Sequence, residues 1–152
     1  MKTKGIRILD TIDRVVSVEL LDILEEIPNG SQLHWSIQFI EATGDFGDEK
    51  LTSLSENQVR EGEHGYDLTW KSLNKLAKKF DQVIDILIIG CRNMKLLVRY
   101  ENDEEMYETC DIVIEMIDSS FWQVFSKDTS LIERLAAKFK KVEFLESDFH
   151  YV

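Results

Sequence analysis

The sequence predicts a single α+β domain over residues 1–152: a mixed or antiparallel sheet of about five strands with three helices mainly on one face. Segments with helical spacing of apolar residues alternate along the chain with segments of period two or of continuous apolar character. Near residues 118–121 two strand-like segments meet at a short polar turn, the mark of an antiparallel pair. Finally, 152 residues, 43% of them apolar, are enough for one core, while seven glycines and one proline exclude collagenous and low-complexity classes.

The elements follow in order. Ile12, Val16, Leu20, Ile23, Leu24 and Ile27 recur at three- and four-residue spacing before Pro28-Asn29-Gly30 and predict a helix ending at Ile27. Its start is expected at Asp10 or Thr11 or, because Val15, Val16 and Val18 are β-branched, at Ser17. Leu33, Trp35, Ile37 and Phe39 alternate with His34, Ser36 and Gln38, predicting a strand with one buried face. Between Thr43 and Asp67 the periodicity disappears among Gly44, Gly47, Gly62 and Gly65, which reads as a long acidic loop. Thr69 is the expected cap of a helix carrying Trp70, Leu73, Leu76, Ala77 and Phe80 on one face. Val83 to Cys91 is apolar except for Asp85, as in a strand covered on both sides.

Met94 to Tyr100 reads as a further strand and Glu101 to Glu108 as an acidic helix or loop. Asp111 to Asp118 predicts a strand with Ile112, Ile114 and Met116 on one side and Val113, Glu115 and Ile117 on the other. A turn at Ser119-Ser120 leads into Phe121 to Phe125 as a hairpin. Ser130 and Glu133 have capping-box spacing at the start of a last helix burying Leu131, Leu135, Ala136 and Phe139, before a strand from Val142 to Leu145. One echo joins two of these regions: Leu76, Ala77, Lys79, Phe80 and Val83 match Leu135, Ala136, Lys138, Phe139 and Val142 at the same spacing. Both are helix-to-strand joints, and chance recurrence of a good joint explains two copies as well as duplication does.

The pattern offers no catalytic residue, cofactor or metal site. There is no Gly-x-Ser-x-Gly elbow, a lone Gly90 where a phosphate loop needs several glycines, and no kinase context around Asp45-Phe46-Gly47. His34, His64 and His150 lack a second ligand at metal spacing. Cys91 and Cys110 are too few and too far apart in sequence for a disulfide scaffold or a zinc site, and are expected as buried free thiols in a reducing compartment. No apolar run reaches the roughly 18 residues of a membrane span, and Met1 to Leu9 has no signal-like apolar core, so a cytoplasmic protein is expected. Asp85 is expected to be an edge residue or to hold a buried hydrogen bond.

The charge is uneven. Residues 101–118 carry eight acids and no base, and residues 41–67 carry eight acids against Lys50 and Arg60; together they are net −14 where the whole chain is −11, leaving the rest at +3. Nucleic acid and membrane partners are disfavoured, because both reward excess Lys and Arg. Solvated loops account for such runs; so does a docking surface for a basic protein. On the second reading the partner-binding residues are Glu101, Asp103, Glu104, Glu105, Tyr107, Glu108, Asp111, Glu115, Asp118 and Trp122, with Asp45, Asp48, Glu49, Glu61, Glu63 and Tyr66 from the other stretch. In size, charge and lack of a catalytic motif the chain is similar in kind to small acidic bacterial immunity proteins. That similarity implies a non-enzymatic inhibitor of a toxin nuclease whose positive active cleft it covers. Two alternatives stand beside it: a small enzyme or ligand-binding domain with a pocket under the 43–67 loop using His34, Asp85 or Glu115, and an adaptor or homo-oligomer subunit pairing through a Phe121–Phe125 edge.

Overall fold

The structure, a computed structural model, describes residues 3–44 and 64–147. Its strands are β1 (Thr3–Ile8), β2 (Thr11–Ile12), β3 (Val15–Val16), β4 (His34–Gly44), β5 (Tyr66–Leu68), β6 (Phe80–Cys91), β7 (Ile112–Ile117), β8 (Phe121–Ser126) and β9 (Val142–Ser147). The helices are α1 (Leu20–Leu24), α2 (Trp70–Ala77), α3 (Asp103–Thr109) and α4 (Thr129–Lys138). Seven strands form one sheet in the order β5-β4-β6-β7-β8-β1-β9, antiparallel throughout, and β2 and β3 form a separate two-strand ribbon.

The α+β class is as expected. The two strands beyond the expected five in the main sheet are β1 and the short β5. Thr3–Ile8 carries only two apolar side chains, Ile6 and Ile8, so its alternation is too brief to register in the sequence, yet it is inserted between β8 and β9. Two crossovers organise the sheet: α2 joins β5 to β6 across β4, and α4 joins β8 to β9 across β1. The sequence echo lies at the ends of these two helices, where Leu135 is buried and Leu76 half-buried on the same core.

That core fills the face covered by α1, α2 and α4, with Ile6, Ile8, Trp35, Ile37, Ile86, Ile88, Ile112, Ile114 and Val124 rising from the sheet. Two fully buried indoles tie loops to it. Trp122 Nε1 donates to the Val18 carbonyl at 2.7 Å, and Trp35 Nε1 donates to the Gly30 carbonyl at 2.8 Å. Trp35 also stacks on Trp70 at 5.2 Å and sits opposite Gly90, where a Cβ would lie 2.8 Å from the indole. Any side chain at residue 90 therefore collides with Trp35.

Several local expectations change. The helix predicted up to Ile27 shrinks to Leu20–Leu24, because Thr11 to Val16 forms the ribbon instead; Asp13 (φ 52°) and Arg14 (φ 69°) take the two left-handed turn positions. Phe39, expected on the buried face of its strand, is 51% exposed. A bulge at Gln38 shifts the register between Ile37 and Phe39, so that Ile40 and Ala42, rather than Phe39, continue the buried row. Met94–Leu96 is a 3-10 turn rather than a strand. The last helix is capped by Asp128, whose side chain accepts from the Ser130 N–H at 3.0 Å, so Ser130 lies inside the first turn. The β7–β8 turn places Asp118 (φ 48°) and Ser119 (φ 56°) at its centre, one residue earlier than predicted. Phe121–Ser126 is not an edge: β7 and β1 flank it on both sides, so strand addition there is closed. No helix among the described residues is long and apolar enough to cross a membrane.

Candidate functional site: the second face of the sheet

Three cross-strand rows, read from the pairing register, make up the sheet face opposite α1, α2 and α4. The first is Ser36, Ile89, Val113, Phe125, Gly5 and Leu145. It is largely apolar and is covered by Leu97, Met106 and Tyr107 from the strap of chain that links β6 to β7. Gly5 is required in this row because a Cβ would lie 2.7 Å from the Phe125 ring.

The second row is polar: Phe39, Leu87, Glu115, Gln123, Arg7 and Glu143. Tyr107 of α3 stacks on Phe125 at 3.9 Å and donates from its hydroxyl to Glu115 Oε1 at 2.5 Å. Gln123 Nε2 donates to the same oxygen at 2.8 Å, while Gln123 Oε1 accepts from Arg7 Nη2 at 3.1 Å. Arg7 in turn lies over the Phe121 ring at 4.5 Å and pairs with Glu143 at 3.6 Å. Burial pushes the Glu115 carboxyl above its ordinary range; the bonds from Tyr107 and Gln123 oppose this, and Asp103 reinforces it. Burial and the neighbouring Glu115 push the Tyr107 hydroxyl up as well, so it remains a donor. The third row consists of two register pairs, Glu41 with Asp85 and Ile117 with Phe121, joined near the β7–β8 turn by the Asp85 carboxylate, which accepts from the Asp118 N–H at 2.8 Å.

Helix α3 is the acidic element. Asn102 caps it by accepting from the Glu105 N–H at 2.9 Å, and Asp103, Glu104 and Glu105 occupy its first turn, where the helix dipole favours negative charge. At its other end Lys127 Nζ donates to the Thr109 carbonyl at 2.9 Å. Asp111 accepts from the Arg92 N–H at 2.8 Å. Much of the local acidity therefore already has a structural use. Lys138, a candidate to neutralise it, pairs instead with Glu25 and Glu26 across the helix-covered face.

The structure brings together Glu101, Asp103, Glu104, Glu105, Tyr107, Glu108 and Glu115, on or under α3. Other expected partner-binding residues lie elsewhere. Trp122 is 1% exposed inside the helix-side core, because alternation along β8 sends it to the opposite face from Gln123 and Phe125. Asp118 is at the turn, roughly 20 Å along β7 from its α3 end. Tyr66 belongs to the β5 edge and packs on the helix-side core. Asp45, Asp48, Glu49, Glu61 and Glu63 lie outside the described residues. His34, Asp85 and Glu115 do not share a pocket: His34 faces Cys91 at one end of β6, and Asp85 faces Glu41 roughly 20 Å away. His34 instead borders a cavity of about 430 Å³ with Trp35, Asp67, Trp70 and Met94.

Arg7 and Gln123 were not singled out from the sequence. The signal for Gln123 was present, since a turn at 118–120 sets Gln123 opposite Glu115 as two polar breaks in facing strands. Arg7 offers none, because Thr3–Ile8 has too few apolar residues to mark it as a strand. No family model, no curated protein and no solved structure matches this chain.

Proposed function

We propose that this chain is a non-enzymatic acidic binding protein that neutralises a basic protein partner, most concretely an immunity protein that inhibits a toxin nuclease in the cytoplasm by covering its active cleft. The observation that carries this reading is the arrangement of the second face. The carboxylates of Asp103, Glu104 and Glu105 stand at the start of α3, on a face that also leaves Phe39 exposed and Leu87, Ile117 and Phe121 half-buried. Charge at a rim steers a basic partner into place, and apolar and aromatic side chains beside it supply area to bury.

The test uses the protein encoded by the neighbouring gene, because an inhibitor of this kind must be made alongside its target. Association should be fast and should weaken as salt rises. The triple variant Glu104→Lys, Glu105→Lys, Glu108→Lys should associate slower by about 10-fold or more, while it stays folded and loses about 1–3 kcal/mol, since two of the reversed charges lie in the first turn of α3. Stopped-flow binding and urea unfolding check the two halves, and unchanged kinetics remove the charge argument.

A second reading, a small-ligand domain, is favoured by the cavity beside His34 and Asp67, whose wall includes the stacked Trp35 and Trp70. Mass spectrometry of the purified chain for a co-purifying metabolite distinguishes it.

A further inference from the structure

The strap that carries α3 leaves the sheet after Cys91, the last residue of β6, and returns at Ile112, the first of β7. Gly90 and Ile112 are register partners, so the two ends of the strap are neighbours, and each end carries a cysteine. Both cysteines are fully buried in one cluster with Ile89, Leu97, Met106, Val113 and Phe125, and they are the only two in the chain. The residues next to them are bonded across the two ends, the Arg92 N–H donating to the Asp111 carboxylate at 2.8 Å, so the two cysteines are buried as neighbours. A disulfide needs closely placed Cβ atoms, and here two residues far apart in sequence are buried in one small cluster, Cys91 at the end of β6 and Cys110 two residues before β7 begins.

We propose that Cys91 and Cys110 form a redox-active dithiol that a peroxide oxidises to an intramolecular disulfide, cross-linking the two ends of the strap. The Cys91 thiolate attacks one oxygen of the peroxide, breaking the O–O bond and giving a sulfenic acid and one water. Cys110 then attacks that sulfur, forming the S–S bond and expelling the second water, so two thiols and one hydrogen peroxide become a disulfide and two waters. The two thiols are unequal. Interaction with Cys110 holds the Cys91 thiol below its usual range against the opposing effect of burial, and interaction with Cys91 together with burial pushes Cys110 up. Cys91 is therefore the attacking sulfur and Cys110 the resolving one.

Access comes through the Met94–Leu96 turn. Cys91 Sγ contacts the Leu96 carbonyl at 3.9 Å, and Met94 and Lys95 beside it are exposed, so opening one short turn uncovers the sulfur. The closed bond fixes both ends of the segment bearing α3, which raises the thermal midpoint by roughly 5–10 °C.

The experiment treats the full chain with hydrogen peroxide or with dithiothreitol, unfolds it in an alkylating agent and measures its mass. The reduced chain should carry two adducts. The oxidised chain should carry none, be lighter by two hydrogens, remain a single chain on a non-reducing gel and melt higher. Two adducts after peroxide, a disulfide between two chains, or one over-oxidised cysteine beside a free one would overturn the proposal. In Cys110→Ser, Cys91 should stop at a sulfenic acid that dimedone traps, and in Cys91→Ser, Cys110 should stay alkylatable. The reverse pattern overturns the assignment of roles, and should either variant fail to fold, the wild-type masses still decide the disulfide.

Discussion

The two faces of one sheet are built on different terms. The helix-covered face is shielded by three helices, and its central register rows are apolar from β4 to β1: Ile37, Ile88, Ile114, Val124 and Ile6 in one, Ile40, Ile86, Met116, Trp122 and Ile8 in the next. The opposite face is dry only in the row nearest the strap; its next row runs through Glu115, Gln123 and Arg7. Among the described residues no buried side-chain nitrogen or oxygen lacks a hydrogen-bond partner. The contrast shows how a short helix with an acidic first turn can be held down. Seven residues with one buried side chain, Met106, bring little apolar area, so α3 is fastened by Tyr107 stacking on Phe125 and bonding Glu115.

Breaking the dry face should cost most. Trp35→Ala removes a fully buried indole, its bond to Gly30 and its stack on Trp70, and is expected to destabilise by about 3–5 kcal/mol in urea unfolding. Tyr107→Phe keeps the ring on Phe125 and removes only the hydroxyl, so a loss of about 1–2 kcal/mol is expected, together with faster hydrogen exchange in α3. A loss as large as that of Trp35→Ala would mean that the polar row, and not the helix-side core, dominates stability.

Glu115→Gln sharpens the comparison through pH. Burial raises the folded carboxyl above its ordinary value of 4.5, so the folded chain holds this proton more tightly than the unfolded one. The resulting contribution is complete below 4.5 and is lost as pH rises through the folded value. Glutamine mimics the protonated acid. The variant should therefore gain on the wild type as pH climbs from the ordinary carboxylate range towards neutrality, in denaturant melts across that range. A difference that is flat with pH would show that Glu115 is equally well accommodated in both protonation states.

Helix-side elements were the most legible in the sequence. Thr69 as cap, Leu73 and Ala77 as the buried side of α2, and Ile112, Ile114 and Met116 as one face of β7 all follow from periodicity that large apolar side chains impose. What escaped depends on residues distant in the chain. Phe39 turns outward because of a bulge whose Gln38 side chain donates to Ser36 and to the His64 carbonyl, while Arg99 donates to the Gln38 carbonyl. The acidic neighbours of Trp122 suggest an interface anchor, but strand alternation places it in the core. The acids of α3 were visible as a charge run; their place in a first turn beside Glu115 was not, because helix and loop were equally compatible with Glu101 to Glu108. The nearness of Cys91 and Cys110 was within reach, since pairing β6 with β7 brings their adjoining ends together.

The placement of β1 bears on how the chain matures. Both strands that flank it, β8 and β9, are made more than a hundred residues later, so during synthesis Thr3–Ile8 waits with both backbone edges unpaired. The sheet can be completed only when the last strands emerge from the ribosome and close around the first. Such long-range closure is slow, and it leaves the nascent protein dependent on protection from self-association until β8 and β9 are available to pair.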